Sequence, residues 1–241
     1  MATQTLQVIT EYCEGYMDDM RISAYRQACP ALYLRQMYFF LRIAISLFNK
    51  PKEMQKYLLG TQDNPKLVEP VFADTMVTLD EDVTGSYTFV LGEEYANYEL
   101  ASVRERVTNA DGTVVHYAVD FTYDVQIGNI TVNGDYASGT VFELDFANDG
   151  YFVNDLSPEM MDILGCASGL AWRERFNAEW LTIVSKVEDK SFKEQNRATD
   201  KRANTEQIGE MRKALYSKMR AFEQSQWYKA TVPQGSLNIY Y

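Results

Sequence analysis

The stretch that decides the fold lies near the start of the chain, at residues 30–48, and reads PALYLRQMYFFLRIAISLF. A helix built from it carries apolar side chains around most of its circumference, which is typical of a helix buried on several sides. Pro30 suits the first turn of such a helix, because an N–H group there would have no partner within the helix. We therefore predict a central helix against which other elements pack.

Helical patterns continue on both sides of this stretch. Before it, apolar residues recur at steps of three and four, at Leu6, Ile9, Cys13 and Met17. After it, Pro51 and Gly60 suit the start and the end of a short third helix, since proline favours the first turn and glycine follows the last. Residues 1–66 are therefore predicted to form an N-terminal helical part.

The periodicity changes near residue 67. Segments rich in Val, Thr, Tyr and Phe, with near-alternation of apolar and polar side chains, occupy residues 86–91, 98–108, 113–126 and 140–146. Turn pairs such as Asp111-Gly112 and Asn133-Gly134 separate them, because these residues accept positive φ in tight hairpins. The pattern predicts a β-rich insertion over residues 67–155, an antiparallel sheet, small barrel or sandwich of roughly five to seven strands.

Helix is predicted again from Ser157-Pro158-Glu159, where a capping residue precedes proline and an acid. This third part spans residues 156–228 and ends in a charge-rich helix, residues 204–227. In it, apolar side chains at steps of three and four form a narrow seam: Ile208, Met211, Leu215, Met219 and Phe222. The seam suits packing against the body of the same chain or against a neighbouring copy, and the pattern fits both equally.

Residues 229–241 form a fourth part, which we name the C-terminal arm. Pro233 and Gly235 interrupt any helix, and residues 237–241 then alternate in the manner of a β-strand. The arm could dock on the sheet of its own chain or add a strand to another subunit. Its place beyond a long helix and the helix-breaking residues Pro233 and Gly235 favours addition to another subunit. The predicted fold class is thus α+β, a helical body with a large antiparallel β insertion and an extended tail.

The acidity of the protein is concentrated in the insertion. The chain carries a net charge of −11, yet residues 72–155 hold sixteen acids against Arg104 and Arg106, which gives −14. The remaining residues hold 18 acids and 21 bases, which gives +3. A segment this acidic repels nucleic acid. A solvated sheet face kept soluble by charge would explain the same excess.

Membrane insertion and secretion have no support in the sequence. The most apolar run, residues 38–48, is interrupted by Arg42 and is far shorter than the ~20 apolar residues that span a bilayer. The first residues lack the basic region and apolar stretch of a signal peptide. Cys13, Cys29 and Cys166 are an odd number without close spacing, which indicates buried thiols in a reducing compartment.

Motifs that carry chemistry are scarce. His116 is the single histidine and lies in a predicted strand, and no zinc-type spacing or nucleotide-binding glycine motif occurs. The stretch Gly165-Cys-Ala-Ser-Gly169 places its serine one position late for a nucleophile elbow, so its small residues indicate close helix packing. We therefore predict no catalytic residue, no metal and no cofactor.

One further group could suggest a loosely bound calcium ion. It combines acidic and amide side chains around the end of the insertion, at Asp145, Asn148, Asp149, Asn154 and Asp155. The spacing does not match a calcium-binding loop, because the third position would be Ala147.

The layout resembles the head-to-tail connector (adaptor, neck or ring) proteins of tailed bacteriophages. The resemblance rests on residues 32–48, 157–187, 204–227 and 231–241, and it covers most of the chain as architecture rather than as a motif. It implies a non-enzymatic virion protein of the phage neck, assembled in the host cytoplasm. The smallest adaptors are nearly all helical, whereas this chain carries an insertion of roughly ninety residues.

The resemblance also implies partners. These are further copies of the chain in a ring, usually twelvefold, the phage portal protein, other neck or tail proteins, and double-stranded DNA passing through the channel without specific binding; no membrane is involved. We expect subunit and portal contacts at the seam and the arm, at Ile208, Met211, Leu215, Met219, Phe222, Trp227, Leu237, Ile239, Tyr240 and Tyr241. Two other classes stay open, a non-viral α+β module that binds a ligand or protein, and a hydrolase using clustered carboxylates.

Overall fold

The computed structural model describes the backbone of residues 2–17, 20–187 and 193–231, with side chains except at residues 20–21, 176–204 and 227–231. It confirms the α+β class, with helices at both ends of the chain and antiparallel sheets between them. Among these residues, no helix combines the length and the apolarity needed to cross a membrane.

The N-terminal part is a strand followed by helices. They are β1 (Thr3–Gln4), α1 (Thr5–Val8), a π-helical turn (Ile9–Cys13), α2 (Glu14–Met17), α3 (Met20–Ala28), α4 (Pro30–Leu47) and α5 (Met54–Leu59). The predicted third helix therefore begins at Met54 rather than at Pro51. Its end is as predicted: Gly60 has a φ of 76°, and a β-carbon there would meet the carbonyl oxygen of Asn64 at 2.2 Å.

Helix α4 is the central helix that its sequence predicts. Only Gln36, Phe39, Arg42 and Ser46 are exposed along it, a single narrow stripe. Its other side chains pack against helices on several sides, with Phe40 edge-on to Trp172 at 5.2 Å between ring centroids. The apolar circumference of residues 30–48 is thus matched by burial around most of the helix.

The insertion contains nine strands. They are β4 (Leu67–Val68), β5 (Val71–Thr78), β6 (Ser86–Phe89), β7 (Leu100–Thr108), β8 (Val114–Ala118), β9 (Phe121–Asp124), β10 (Asn129–Asn133), β11 (Val141–Asn148) and β12 (Tyr151–Phe152). The short hairpin β2 (Gly60–Thr61) and β3 (Asn64–Pro65) precedes them.

Seven of these strands form a two-sheet sandwich, which we name the β module. One sheet has the order β5-β11-β7-β8 and the other β6-β10-β9, with antiparallel pairing throughout. Alternate side chains of both sheets meet in one apolar core, where Phe142 lies 5.4 Å from Phe89 and 4.9 Å from Tyr136 between ring centroids. Of the predicted alternatives, the sandwich is the one formed.

Two details of the predicted strands differ in the structure. The predicted segment 113–126 is two strands, because the chain crosses from one sheet to the other at Val119 and Asp120. Strands β5 and β10 were not predicted individually, although turn pairs bracket β10. Strand β4 pairs with β12, and β12 with β1, in a third small sheet where the helices join the β module.

The last two helices are α6 (Pro158–Val187) and α7 (Lys193–Thr231). Helix α6 begins where Ser157-Pro158 predicts it. Residues of α4, α6 and α7 share one core with α1 and α2, so the first and last thirds of the chain build a single helical body. The β module has a separate core of its own.

Two glycines of α6 allow the N-terminal helices to come close. A β-carbon on Gly165 would lie 2.8 Å from the carbonyl oxygen of Tyr12, and one on Gly169 would lie 2.6 Å from Cβ of Tyr16. Ser168 between them is fully buried and contacts the thiol of Cys13 at 3.3 Å. The interpretation of this stretch as a close-packing surface is confirmed.

The close approach at Gly169 gives a stability prediction. Replacing Gly169 by Ala forces the helices apart and is expected to lower the free energy of unfolding by about 1–3 kcal/mol, as overpacking does. The matched control is Gly209→Ala in α7, where a β-carbon would have no other atom within 4 Å. That change is expected to stabilise by about 0.5–1 kcal/mol, because alanine favours helix. Urea unfolding of both variants followed by circular dichroism measures the difference, and equal effects would contradict the packing.

Candidate interaction surface

Helix α4 starts against the sheet of the β module. The N–H groups of Ala31 and Leu32 both donate to the hydroxyl oxygen of Ser102 on β7, at 2.9 and 3.3 Å. Cys29, which precedes the helix, provides no side-chain cap. The first N–H groups of a helix lack partners within it. A strand residue 71 positions away therefore supplies the cap that the local sequence lacks.

Helix α1 is capped in the same manner from the end of β11. Asp149 accepts the N–H of Leu6 at 3.0 Å, and the carbonyl oxygen of Gly150 accepts the N–H of Thr5 at 2.9 Å. Burial raises the pKa of Asp149, while the hydrogen bonds from Thr5, Leu6 and Gly150 lower it. The β module thus caps two helices of the body.

A buried carboxylate ties these contacts together. Asp145 on β11 lies 3.3 Å from the guanidinium of Arg35 on α4 and 3.2 Å from that of Arg104 on β7. Its side chain is only 5% exposed. Burial raises its pKa, and this effect exceeds the opposing attraction of the two arginines. Arg35 also reaches Asp74 on β5, at 3.2 Å.

Both arginines of the acidic segment form ion pairs on the face of the β5-β11-β7-β8 sheet that carries Asp145. Arg104 and Arg106 lie 2.8 and 3.6 Å from Glu143, and the imidazole of His116 lies 3.2 Å from it. Because residues 72–155 hold no other Arg or Lys, the carboxylates elsewhere in the β module have no cation from within that segment.

Part of that excess acidity lies at one end of the sandwich. The loop after β5 carries Asp80, Glu81 and Asp82, and the loop after β10 carries Asp135. The two loops are joined there, since Asp82 accepts the N–H of Ser138 at 2.7 Å and Asp135 accepts that of Gly85 at 2.9 Å. The β module therefore presents an acidic loop end and a charge-paired sheet face.

The groups considered for chemistry have structural partners. Burial raises the pKa of Cys13 to about 12, so its thiol stays protonated at neutral pH. Within the described parts of the chain, no three His, Cys, Asp or Glu side chains gather where they could hold a metal ion. The side chains considered for calcium serve separate contacts: Asp145 with arginines, Asn148 with Glu99, Asp149 at α1, Asn154 with Tyr57 and Asp155 with Thr3.

A cavity of about 330 Å³ lies between α5, the β2–β3 hairpin and Asn154. Its lining contains one aromatic side chain, Tyr57, together with Glu53, Lys56 and Lys66. The tyrosines of the β module pack elsewhere, where Tyr95, Tyr98 and Tyr123 surround Phe146 in the sandwich core. We would expect a ligand-binding module to hold its ligand in an aromatic pocket, and this cavity is not one.

The predicted seam faces the body of its own chain. Leu215, Met219 and Phe222 are buried in the helical core, and Phe222 lies 5.8 Å from Phe48 between ring centroids. Ile208 and Met211 are partly buried against the same core. Ion pairs fix the helix in place, from Lys218 to Asp162 and from Arg212 to Glu174. Within the described residues, the intramolecular interpretation accounts for the buried seam residues, and the role of the seam in subunit contacts stays a prediction.

The other predicted contact residues are not described. The side chain of Trp227 and the arm residues Leu237, Ile239, Tyr240 and Tyr241 lie outside the described residues. Their role in subunit or portal contacts stays a prediction.

An open strand edge is the surface that the sequence did not predict. Strand β5 pairs with β11 on one side, and no other described strand pairs with it. Val71 and Met76 on it are 55% and 62% exposed. Even the side chains that face the sandwich core, Ala73 and Val77, are only half-buried. About every second residue of this eight-residue strand thus directs its N–H and C=O groups away from β11, toward an edge where no described strand pairs with them.

No residue pattern in β5 marks it as an edge. Its position follows from the order of strands in the sheet, which depends on pairing with a strand some seventy residues later. The capping roles of Ser102 and Asp149 have no local signal either, since their partners are 71 and 143 positions away.

In comparisons with protein-family models, curated proteins and solved structures, none matched this chain.

The cap on α4 gives a prediction. Replacing Ser102 by Ala leaves two buried N–H groups without their acceptor, and it is expected to lower the free energy of unfolding by about 1–3 kcal/mol. Ser46→Ala on the exposed stripe of α4 is the control, expected to change stability by less than about 0.5 kcal/mol. Denaturant unfolding of the two variants is the measurement, and equal losses would mean that Ser102 does not cap the helix.

The pKa of Asp145 predicts a pH dependence. Above the ordinary pKa of 3.8, the folded protein holds this proton more tightly than the unfolded chain does. The free energy of unfolding therefore falls as pH rises through that interval. Asp145→Asn removes the titration and is expected to flatten this fall, measured by urea unfolding between pH 4 and pH 7.

Asp111 provides the control of opposite sign. Hydrogen bonds from Thr113 lower its pKa, so its contribution is present above the ordinary pKa and is lost as pH falls. Asp111→Asn is expected to leave the slope between pH 4 and pH 7 nearly unchanged, because Asp111 titrates below its ordinary pKa. A flattening in both variants would contradict the assignment of the effect to burial of Asp145.

Proposed function

We propose that this chain is a non-enzymatic structural subunit that assembles into a ring in the neck of a tailed bacteriophage. The ring would join the portal to the tail and line the channel for DNA. Its partners would be copies of itself, the portal protein and further neck or tail proteins, in the virion.

The observation that carries the proposal is that the two ends of the chain form one helical body while its middle forms a separate β module. The N- and C-terminal helices share one core, and the β module is inserted between them on a set of caps and ion pairs. This is the layout on which the resemblance to connector proteins rests. It leaves the outer side of β5, with which no described strand pairs, available to other subunits.

The charge distribution supports the same role. Residues 72–155 carry a net charge of −14, and their two arginines are paired within one sheet face. Acidic loops beside a DNA channel repel the phosphate backbone, so DNA slides without sticking. The same loops would suit contacts with basic patches on tail proteins.

A hydrolase using clustered carboxylates receives less support. The acids that approach one another on the sheet are Glu143, Asp145 and Asp74, and each is bound by a guanidinium group. Carboxylates tied in this way are poorly placed to donate or accept a proton from a substrate.

Assembly is the direct test. We expect the purified chain, mixed with the portal protein encoded in the same genome, to form rings visible by negative-stain electron microscopy. Twelve copies of a 27.7 kDa chain correspond to a mass of about 330 kDa above that of the portal, measurable by mass photometry. A 27.7 kDa monomer that persists beside an intact portal ring would overturn the proposal.

The arm allows a second test. Deleting residues 237–241 is expected to weaken assembly while leaving the thermal unfolding midpoint of the monomer unchanged, because an arm that serves a neighbour contributes nothing to the isolated chain. A lowered midpoint in the monomer would show that the arm is a strand of its own sheet.

A further inference from the structure

We propose that the open edge of β5 accepts residues 237–241 of a second copy as an added strand. The inference rests on the proposed function, since it requires that copies of the chain meet. It names the acceptor for an arm whose sequence alone leaves the acceptor open.

The edge has few of the features that prevent strand addition. Natural edge strands are kept short or carry charges, prolines or bulges. Strand β5 has eight residues, whereas the other outer strands of the sandwich, β8, β6 and β9, have five, four and four. Its one charged side chain, Asp74, is bound to Arg35, and its nearest proline, Pro70, precedes the strand.

The arm has the chemistry that this edge requires. Residues 228–241 contain no acidic side chain, so they are not repelled by a segment with a net charge of −14. In a strand, Leu237, Ile239 and Tyr241 face one side while Asn238 and Tyr240 face the other. Five residues span about 17 Å, which fits within the roughly 26 Å of β5.

The apolar side of the arm also has a place to pack. Ala73 and Val77 point toward the sandwich core but stay half-buried, because no further described strand covers them. An added strand would lay Leu237, Ile239 and Tyr241 beside them and extend the core by one strand. Main-chain hydrogen bonds would supply affinity and these side chains specificity, as in other strand additions.

The directions of the helices indicate a second copy as donor. The pairs Arg212–Glu174 and Lys218–Asp162 make α7 antiparallel to α6. Helix α4 is also antiparallel to α6. Phe40 contacts Trp172 in α6. Phe48, further along α4, contacts Phe222, which lies just past Lys218 and so near the start of α6, where Lys218 pairs with Asp162. Helices α4 and α7 therefore run the same way, and α7 leads away from the end of α4 that contacts β5.

The distances make the same point. From Arg35, which contacts β5, to Phe48 is about 20 Å along α4, and from Phe222 to Thr231 is about 14 Å further along α7. The ten residue steps from Thr231 to Tyr241 span at most about 35 Å. The arm of the same chain could therefore bring only its last residue to the middle of β5, near Asp74, and only when fully extended, whereas the arm of a neighbour is under no such limit.

Hydrogen exchange read by mass spectrometry tests the proposal on the full chain. At a concentration where the chain is monomeric, the β5 amides that point away from β11 are expected to exchange fast. Adding a synthetic peptide of residues 232–241 in excess is expected to slow them by about tenfold or more, because strand addition pairs the edge amides. The amides of β8, the other edge of the same sheet, serve as the internal control and are expected not to change.

Two variant peptides carry the matched comparison. Ile239→Asp places a charge on the face that would cover Ala73 and Val77, and it is expected to abolish the protection of β5. Asn238→Asp places the same charge on the opposite face and is expected to retain most of it. Equal behaviour of the two peptides would overturn the assigned packing.

The remaining outcomes are also decisive. Protection of the outward-facing β5 amides in the monomer without peptide would show that the chain's own arm occupies the edge. Protection at β8 or at neither edge would place the arm elsewhere. If rings form with the portal while β5 stays unprotected, only this inference fails. If the peptide protects β5 while no ring forms, the edge binds the arm and the proposed neck function fails.

Discussion

The structure depends on a single buried carboxylate at the junction of its two parts. Asp145 lies between a guanidinium on the central helix and one on the neighbouring strand, and Ser102 beside it receives the first N–H groups of that helix. Desolvation of the carboxylate is unfavourable, yet removing one partner of such a cluster leaves another charge buried alone. The cluster therefore contributes less to net stability than to the geometry of the junction, because few other arrangements of helix and sheet would give Asp145 two guanidinium partners.

This arrangement changes the meaning of the acidic composition. The excess charge is not spread evenly over the β module. Its two arginines, Arg104 and Arg106, lie on one sheet face, where they pair with Glu143 and Asp145. The acids Asp80, Glu81, Asp82 and Asp135 lie in loops at one end of the module. The net charge of the whole segment does not show this division into a charge-paired sheet face and an acidic loop end. The division decides which surfaces a charged molecule can approach.

Local sequence patterns predicted well where helices and strands lie, and poorly which elements contact one another. The apolar circumference of residues 30–48, the Ser157-Pro158 start of α6 and the small residues at Gly165 and Gly169 each depend on nearby sequence, and the structure has them as predicted. The caps from Ser102 and Asp149 and the edge position of β5 depend on residues tens of positions away. The seam of α7 shows the limit most clearly, because the spacing of Leu215, Met219 and Phe222 is the same whether the partner is Phe48 or a second chain.

Because α1 and α4 are capped by residues of the β module, they must be synthesised well before their caps. Both helices leave the ribosome long before their caps, since Ser102 follows Ala31 by 71 residues and Asp149 follows Leu6 by 143. Closing loops of that length is slow compared with forming a helix. The side of the central helix that packs on α6 and α7 is covered later still, since both helices follow the last strand of the sheet. Until they have been made, that apolar surface stays exposed and is a target for chaperones.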